Sequence, residues 1–480
     1  MEKPLSKRSG IRSILVNSWQ LGAARAFASI ARAVYALFLA RELGAFLYGH
    51  FNYGMAWYLA LIPLVLMGIP WVLLKEIGTD PSSAPRLVEH SYRICLFAGL
   101  LLAMVSSVGA WILEPDPEVR MLLGIFSLAL LARGMALWFQ AVFTAFEKAR
   151  YVLALESSFR LAEVFLGIAL VLAGFGILTL ALLHVATWSL QLVVSRRILQ
   201  RLVPMTTVPF VFPEVVRILH LGFPFLVANL LGVWISQGSL ILYRFQEGLD
   251  AQLGYLALSL QAFFILGAIV GELGNAALPV VARSIERGDG KSDHYVQEVL
   301  RLGWFLGGTL AILAWGLAEP VITWLLGEAY ASVAVLLPWT LAALTFHFWM
   351  TALQGMVGVH RHFEVVVLAN VAGALLFTLG FLLLQPLLGA LGAVASLATG
   401  FATVVLFYLF RLARRHHIDW WHRLVAPGLA VAGGMLAAWW LHEQSGLLAL
   451  MGGFGVLFMV ALVTRAVTPA EIRRVLTLIA

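Results

Sequence analysis

Apolar segments long enough to cross a bilayer recur along the whole chain, and this leaves few folds open. They fall at about 14–41, 47–73, 91–113, 120–145, 151–174, 178–195, 219–243, 253–280, 299–318, 332–357, 364–384, 389–410, 424–441 and 447–466. With no water in the hydrocarbon core to satisfy the backbone, only helices and closed barrels span it. A spanning strand needs about 10 residues and a spanning helix about 20. The segments match the helix. The expectation is an all-α polytopic membrane protein of about 14 transmembrane helices.

Composition agrees. The chain is 61% hydrophobic and 12% charged, with a mean hydropathy of +0.91. Soluble domains carry about twice that share of charge. A lone cysteine, Cys95, excludes an intrachain disulfide framework or a cysteine-based metal site and reads as a small buried apolar residue.

The formal charge of +7 is explained by topology rather than by nucleic acid. With the N-terminus inside and the spans alternating, 25 of the 32 lysines and arginines lie in inner segments. Three, Arg41, Arg120 and Arg244, lie outside; Arg25, Arg32, Arg133 and Arg160 lie within spans. Such a bias places both termini in the cytoplasm and the protein in the cytoplasmic membrane. No loop is long enough for a soluble catalytic unit, so the chain is expected not to be an enzyme and to need no cofactor.

The chain carries a weak internal repeat. "LGAFLYGHFNYGMAWYLA" (43–60) and "GLDAQLGYLALSLQAFFI" (248–265) align Gly49 with Gly254, six spans apart. This fits two six-helix lobes related by a parallel repeat. The expected division is a cytoplasmic N-terminus 1–13, a first lobe 14–195, a connector 196–218, a second lobe 219–410, two further helices within 411–466 and a cytoplasmic tail 467–480.

The first span, "SWQLGAARAFASIARAVYALFLARELG", is apolar but holds two arginines. Each costs roughly 2.5–3.5 kcal/mol at a helix centre on insertion scales. Ser18, Gly22, Arg25, Ser29, Arg32 and Ala36 fall on one helical face, while Phe27, Ile30, Val34, Leu37 and Phe38 lie off it. The arginines either pair with acids on neighbouring helices or line a water-filled cavity and grip an anion. Deep acids are few: Glu163 and Glu272 against Arg25, Arg32, Arg133 and Arg160. The surplus of cations suits a phosphate-bearing ligand, whose oxygens match the guanidinium fork. Arg25, Arg32 and Arg133 are the candidate anion-binding residues. Arg160 shares a face with Glu156 and Glu163 and reads as locally paired.

Other polar residues within spans are Ser29, Asn229, Gln237, Glu272, Asn275, His347 and Gln354, the last two on a stripe with Thr340. They could bond sugar hydroxyls or join helices. Glu272 is also a candidate site for a coupling proton or sodium ion. "GDGKS" (288–292) lacks the upstream glycine and strand of a phosphate-binding loop. "HRH" (360–362) and "RRHH" (414–417) lie in basic loops that would repel a metal cation.

Three stretches resemble a known family. They are "LARELGAFLYGHFNYGMAW" (39–57), "NAALPVVARSIERGD" (275–289), and "LLGEAYASVAVLLPWTLAAL" (325–344) leading to "MVGVHRHFEVVVLANVAGALL" (356–376). Their order and spacing are similar to those of the polysaccharide transporter, or oligosaccharide flippase, family of the multidrug/oligosaccharidyl-lipid/polysaccharide exporter (MOP) superfamily. The resemblance implies two six-helix lobes facing a central cavity. It implies a flippase that moves a polyprenyl-diphosphate-linked glycan from the inner to the outer leaflet by alternating access, for surface polysaccharide biosynthesis. The implied partners are that glycan lipid, membrane lipids and a coupling proton or sodium ion. Arg25 and Arg32 match the family's diphosphate-binding arginines by span and depth. A drug or cation antiporter of the same superfamily would need an acid-dominated cavity. A glycan polymerase or ligase would need a sizeable outer loop.

Overall fold

The computed structural model describes residues 7–202, 209–248, 250–287, 291–359, 362–468 and 471, with side chains throughout except at 7–29, 202, 247, 270–287, 291 and 359. The described residues form helices and no strand. They divide into two compact units, Met1–Asp250 and Ala251–Ala480.

The first unit holds α1 (Lys7–Leu66), α2 (Ile69–Thr79), α3 (Ala84–Leu113), α4 (Pro117–Ala145), α5 (Ala149–Leu172), α6 (Ile177–Leu202) and α7 (Phe212–Glu247). α1 joins the first two expected spans across a bend at Gly44, whose φ of 74° suits glycine. The "EPDPE" break starts α4 cleanly: Pro117 needs no N–H partner, and Asp116 caps the amides of Glu118 and Val119 at 2.9 and 3.0 Å. α3 and α6 flank α4, α5 lies along α1, and α7 lies along α1 and α2. At Gly68 and Gly222 the backbones of α7 and the α1–α2 junction nearly touch, and a Cβ on either would overlap a carbonyl oxygen. Arg217 of α7 bonds Glu76 of α2 at 3.0 Å, and Arg244 pairs with buried Glu114 beyond α3.

The second unit holds α8 (Ala251–Arg287), α9 (Lys291–Leu326), α10 (Ala331–Ala342), α11 (Leu344–Val359), α12 (Phe363–Leu388), α13 (Ala390–Leu412), α14 (Ala426–Leu441) and α15 (Gly446–Val463). α12 and α13 form a tight hairpin, and α14 and α15 pack on α9 around Ile312, Trp315, Val431, Ala438, Ala449 and Leu457. Small residues let these helices approach, as packing without a hydrophobic drive requires. The single expected span at 332–357 is broken between α10 and α11 at Ala343.

Among the described residues, twelve segments are long and apolar enough to cross a membrane, so the protein is a multi-pass membrane protein. The figure of about 14 read from the sequence differs for two physical reasons. Ile30–Thr79 is one continuous segment across the Gly44 bend. Ala149–Leu172, not among the twelve, carries Arg150, Glu156, Arg160 and Glu163.

Candidate functional site

The first unit buries a polar network inside apolar helices. Arg133 of α4 donates to the Tyr58 hydroxyl of α1 at 2.6 Å. That hydroxyl lies 2.7 Å from Nε2 of His184 on α6, and His184 Nδ1 lies 2.6 Å from a Glu163 oxygen on α5. The other Glu163 oxygen pairs with Arg160 and accepts from Thr187 at 3.3 Å. Tyr58, His184, Glu163, Thr187 and Arg160 are all buried. Bond polarity runs one way. Arg133 can only donate, so the tyrosine O–H turns to Nε2, and the neutral imidazole donates from Nδ1 to the carboxylate.

Trp188, one residue past Thr187 on α6, is in cation–π contact with two guanidiniums. Arg133 sits 4.9 Å and Arg160 4.3 Å from its ring. This geometry spreads two like charges over one π face, which offsets part of their repulsion. Local sequence builds the site: His184, Thr187, Trp188, Gln191 and Ser195 recur at steps of three and four, so α6 turns one polar edge inward.

Arg32 belongs to the same electrostatic neighbourhood: Arg133, Arg160, Glu156 and Tyr58 all act on it. It is exposed, as are Ile30, Val34 and Leu37 around it, while Ala36 is buried. Glu156 accepts a hydrogen bond from Gln140 of α4 rather than from Arg160. Three guanidiniums therefore face two carboxylates, one net positive charge with His184 neutral. Nε of Arg133, and Nε and Nη2 of Arg160, are buried without a protein partner. Unpartnered buried donors are costly, and charged ones more so. The arrangement can receive an anion.

The structure thus brings together Arg32 and Arg133 of the expected anion-binding set, and adds Arg160, which also holds its expected partner Glu163. The side chains of Arg25, Ser29, Glu272 and Asn275 lie outside the described residues. Asn229 is exposed and Gln237 half-buried on α7 of the first unit. In the second unit His347 packs between Phe263 and Phe401 at 5.2 and 5.1 Å, and Gln354 is half-buried on the same helix. Thr340 bonds Ser259 at 2.6 Å and so joins helices. Tyr58 and His184 were not singled out in the sequence. The one available signal was the spacing of His184, Thr187, Gln191 and Ser195 within an apolar span. Among the described residues no group of acids, histidines and cysteines could hold a metal.

Fold and site together define a class: a polytopic helical membrane protein with an arginine-rich cluster within the apolar helices of one unit. The chain belongs to the polysaccharide biosynthesis protein family, whose model matches residues 14–285. Solved structures share the fold across most of their length. One titled lipid II flippase MurJ, inward closed conformation, superimposes with a TM-score of 0.66 at 14% identity, covering 92% of this chain and 97% of its own. The eukaryotic MATE transporter AtDTX14 gives 0.59 at 16%, covering 88% and 99%. A MOP superfamily transporter from Pyrococcus furiosus, titled for the reversed polarity of its binding pocket, gives 0.60 at 15%, covering 86% and 98%. The chain shares its fold with these structures. No curated protein matches the chain.

Proposed function

We propose that this protein is a flippase that carries a polyprenyl-diphosphate-linked oligosaccharide from the inner to the outer leaflet of the cytoplasmic membrane by alternating access, for surface polysaccharide biosynthesis. One observation carries the reading. The buried N–H groups of Arg133 and Arg160 lack partners, within a cluster whose formal charge is positive. A diphosphate supplies both the negative charge and the acceptor oxygens. Arg32 lies within an apolar segment beside Arg133 and Arg160 and adds its charge to theirs. We assign Arg32 and Arg133 to the diphosphate, with Arg25 on the same face of the first span. Membership of the polysaccharide biosynthesis family supports a glycan cargo.

The test is native mass spectrometry of the protein purified in mild detergent, wild type against a double Arg32→Ala, Arg133→Ala variant. A co-purifying adduct with the mass of a polyprenyl-diphosphate glycan, lost in the variant, is expected. An adduct that persists in the variant sinks the arginine assignment. A wild type that binds neither glycan lipid nor added prenyl diphosphate sinks the function.

A further inference from the structure

The Tyr58–His184–Glu163 chain is more than the arginine cluster needs. Arg160 is already neutralised by Glu163, and a hydroxyl alone could cap Arg133. Between them stands His184, 2% exposed and bonded through both ring nitrogens. Histidine is the side chain that changes charge near neutral pH. We infer that His184 is a proton-binding site whose proton and the anion at the arginine cluster bind together. The inference rests on the anion-binding reading above.

The step is one protonation. The proton adds to the Nε2 lone pair, which in the neutral form accepts from Tyr58. The Tyr58 O–H then turns away, and its oxygen accepts from the new Nε2–H. Nδ1–H keeps its bond to Glu163. The cluster gains one positive charge, so an anion seated there is held more tightly, and by reciprocity the anion favours the proton.

The groups that face the imidazole from each packed helix set the sign. From α1 comes Tyr58, with Tyr35 acting on Glu163 and Arg160, and Arg32 on Arg133 and Arg160. From α4 comes Arg133. From α5 come Glu163 and Arg160, with Glu156 beside Arg32. From α6 itself come Thr187 and Trp188. Cations outnumber acids around the empty cluster. A bound anion reverses that balance.

A second observation supplies a route for the proton. Below His184 on the same face of α6, the side-chain oxygen and nitrogen of Gln191 and the hydroxyl of Ser195 are buried with no protein partner. Apolar residues would pack this stripe more cheaply; polar groups left open along one edge suit a water-assisted path. The stripe runs toward the Arg196, Arg197 and Arg201 end of the helix, the end that the charge distribution puts inside.

The experiment is calorimetric titration of the purified full chain with inorganic pyrophosphate from pH 5.5 to 8, in two buffers of different ionisation enthalpy. The wild type is compared with H184Q and E163Q. The ligand's own ionisation is common to all three and cancels. The wild-type gain in affinity from pH 8 to 5.5 should exceed that of H184Q on the order of tenfold, as an added unit charge near the anion implies. Binding to wild type should also take up more protons than binding to H184Q. E163Q removes the carboxylate that stabilises the imidazolium, so its profile should move to lower pH rather than flatten. A purely structural His184 would move stability without separating these profiles. Equal pH profiles and proton counts in wild type and H184Q overturn the proton site and leave the anion site standing. No pyrophosphate binding by any of the three overturns the anion site, and the linkage falls with it.

Discussion

The Arg160 guanidinium lies 4.3 Å from the ring of Trp188 and pairs through Nη1 with the Glu163 carboxylate. A buried cation is thus held by a π face and a carboxylate at once, while two of its N–H groups stay unpartnered. Trp188→Phe keeps an aromatic face and should cost roughly 1 kcal/mol; Trp188→Leu removes the face and leaves a void, at about 3 kcal/mol. Thermal unfolding midpoints should fall in the order wild type, phenylalanine, leucine. Equal losses would mean that the ring acts through volume alone.

Tyr58 links two elements that no local rule connects. Its hydroxyl accepts from Arg133 and donates to His184. Tyr58→Phe keeps the ring stacked on Phe126 but leaves a buried guanidinium N–H and a ring nitrogen unmatched. The expected cost is about 1–3 kcal/mol. A midpoint lowered by several degrees, with an unchanged monomer peak on size exclusion, checks it. An unchanged midpoint would show that the bonds contribute nothing net.

Where α7 meets the α1–α2 junction, contact is backbone to backbone. A Cβ at Gly222 would overlap the Met67 carbonyl, which belongs to a residue already held at a φ of 49°. Gly222→Ala should therefore force the helices apart and cost more than about 2 kcal/mol, as overpacking does. Gly78, on α2, has open space around it. Gly78→Ala should leave the midpoint equal or slightly higher, since alanine favours the helix by up to about 1 kcal/mol. If both variants behave alike, the close approach is not what sets α7.

How much of this was readable in advance depended on sequence distance. The Arg160–Glu163 pair is three residues apart on a helix, and the spacing alone predicts it. The exposure of Ile30, Val34 and Leu37 and the burial of Ala36 on the other face follow from the 3.6-residue period. The Tyr58–His184 bond spans 126 residues and depends on how α1 and α6 pack, which no period encodes. Glu156 shows the same limit, because its partner Gln140 sits on α4. Arg244, counted as an outer-loop charge, is half-buried against Glu114. The span count is least legible where charge and a bend interrupt the apolar pattern. Three of the four charges on α5, Glu156, Arg160 and Glu163, belong to the polar cluster, so the residues that give the segment its chemistry also weaken its apolar pattern.

An ion network in the second unit makes a pH-dependent prediction. Arg301 of α9 bonds Glu298 at 2.7 Å and Glu471 at 2.6 Å, and Arg423 bonds Glu298 at 2.7 Å. Glu471 also accepts from the Thr468 amide at 2.9 Å. Partial desolvation opposes ionisation of Glu471, but the Thr468 and Arg301 hydrogen bonds outweigh it and hold its carboxyl at about 2, below the usual 4.5. A carboxylate depressed on folding contributes stability that is full above the unfolded value and lost as pH falls through the folded one. Glu471→Gln should therefore lower the unfolding midpoint at pH 7, by less at pH 4, and by little near pH 2. Because Glu471 is only partly buried, the shift at pH 7 should be small and should shrink further in high salt. A Glu471→Gln deficit that stays constant from pH 7 to pH 3 would place the residue's role in packing rather than in charge.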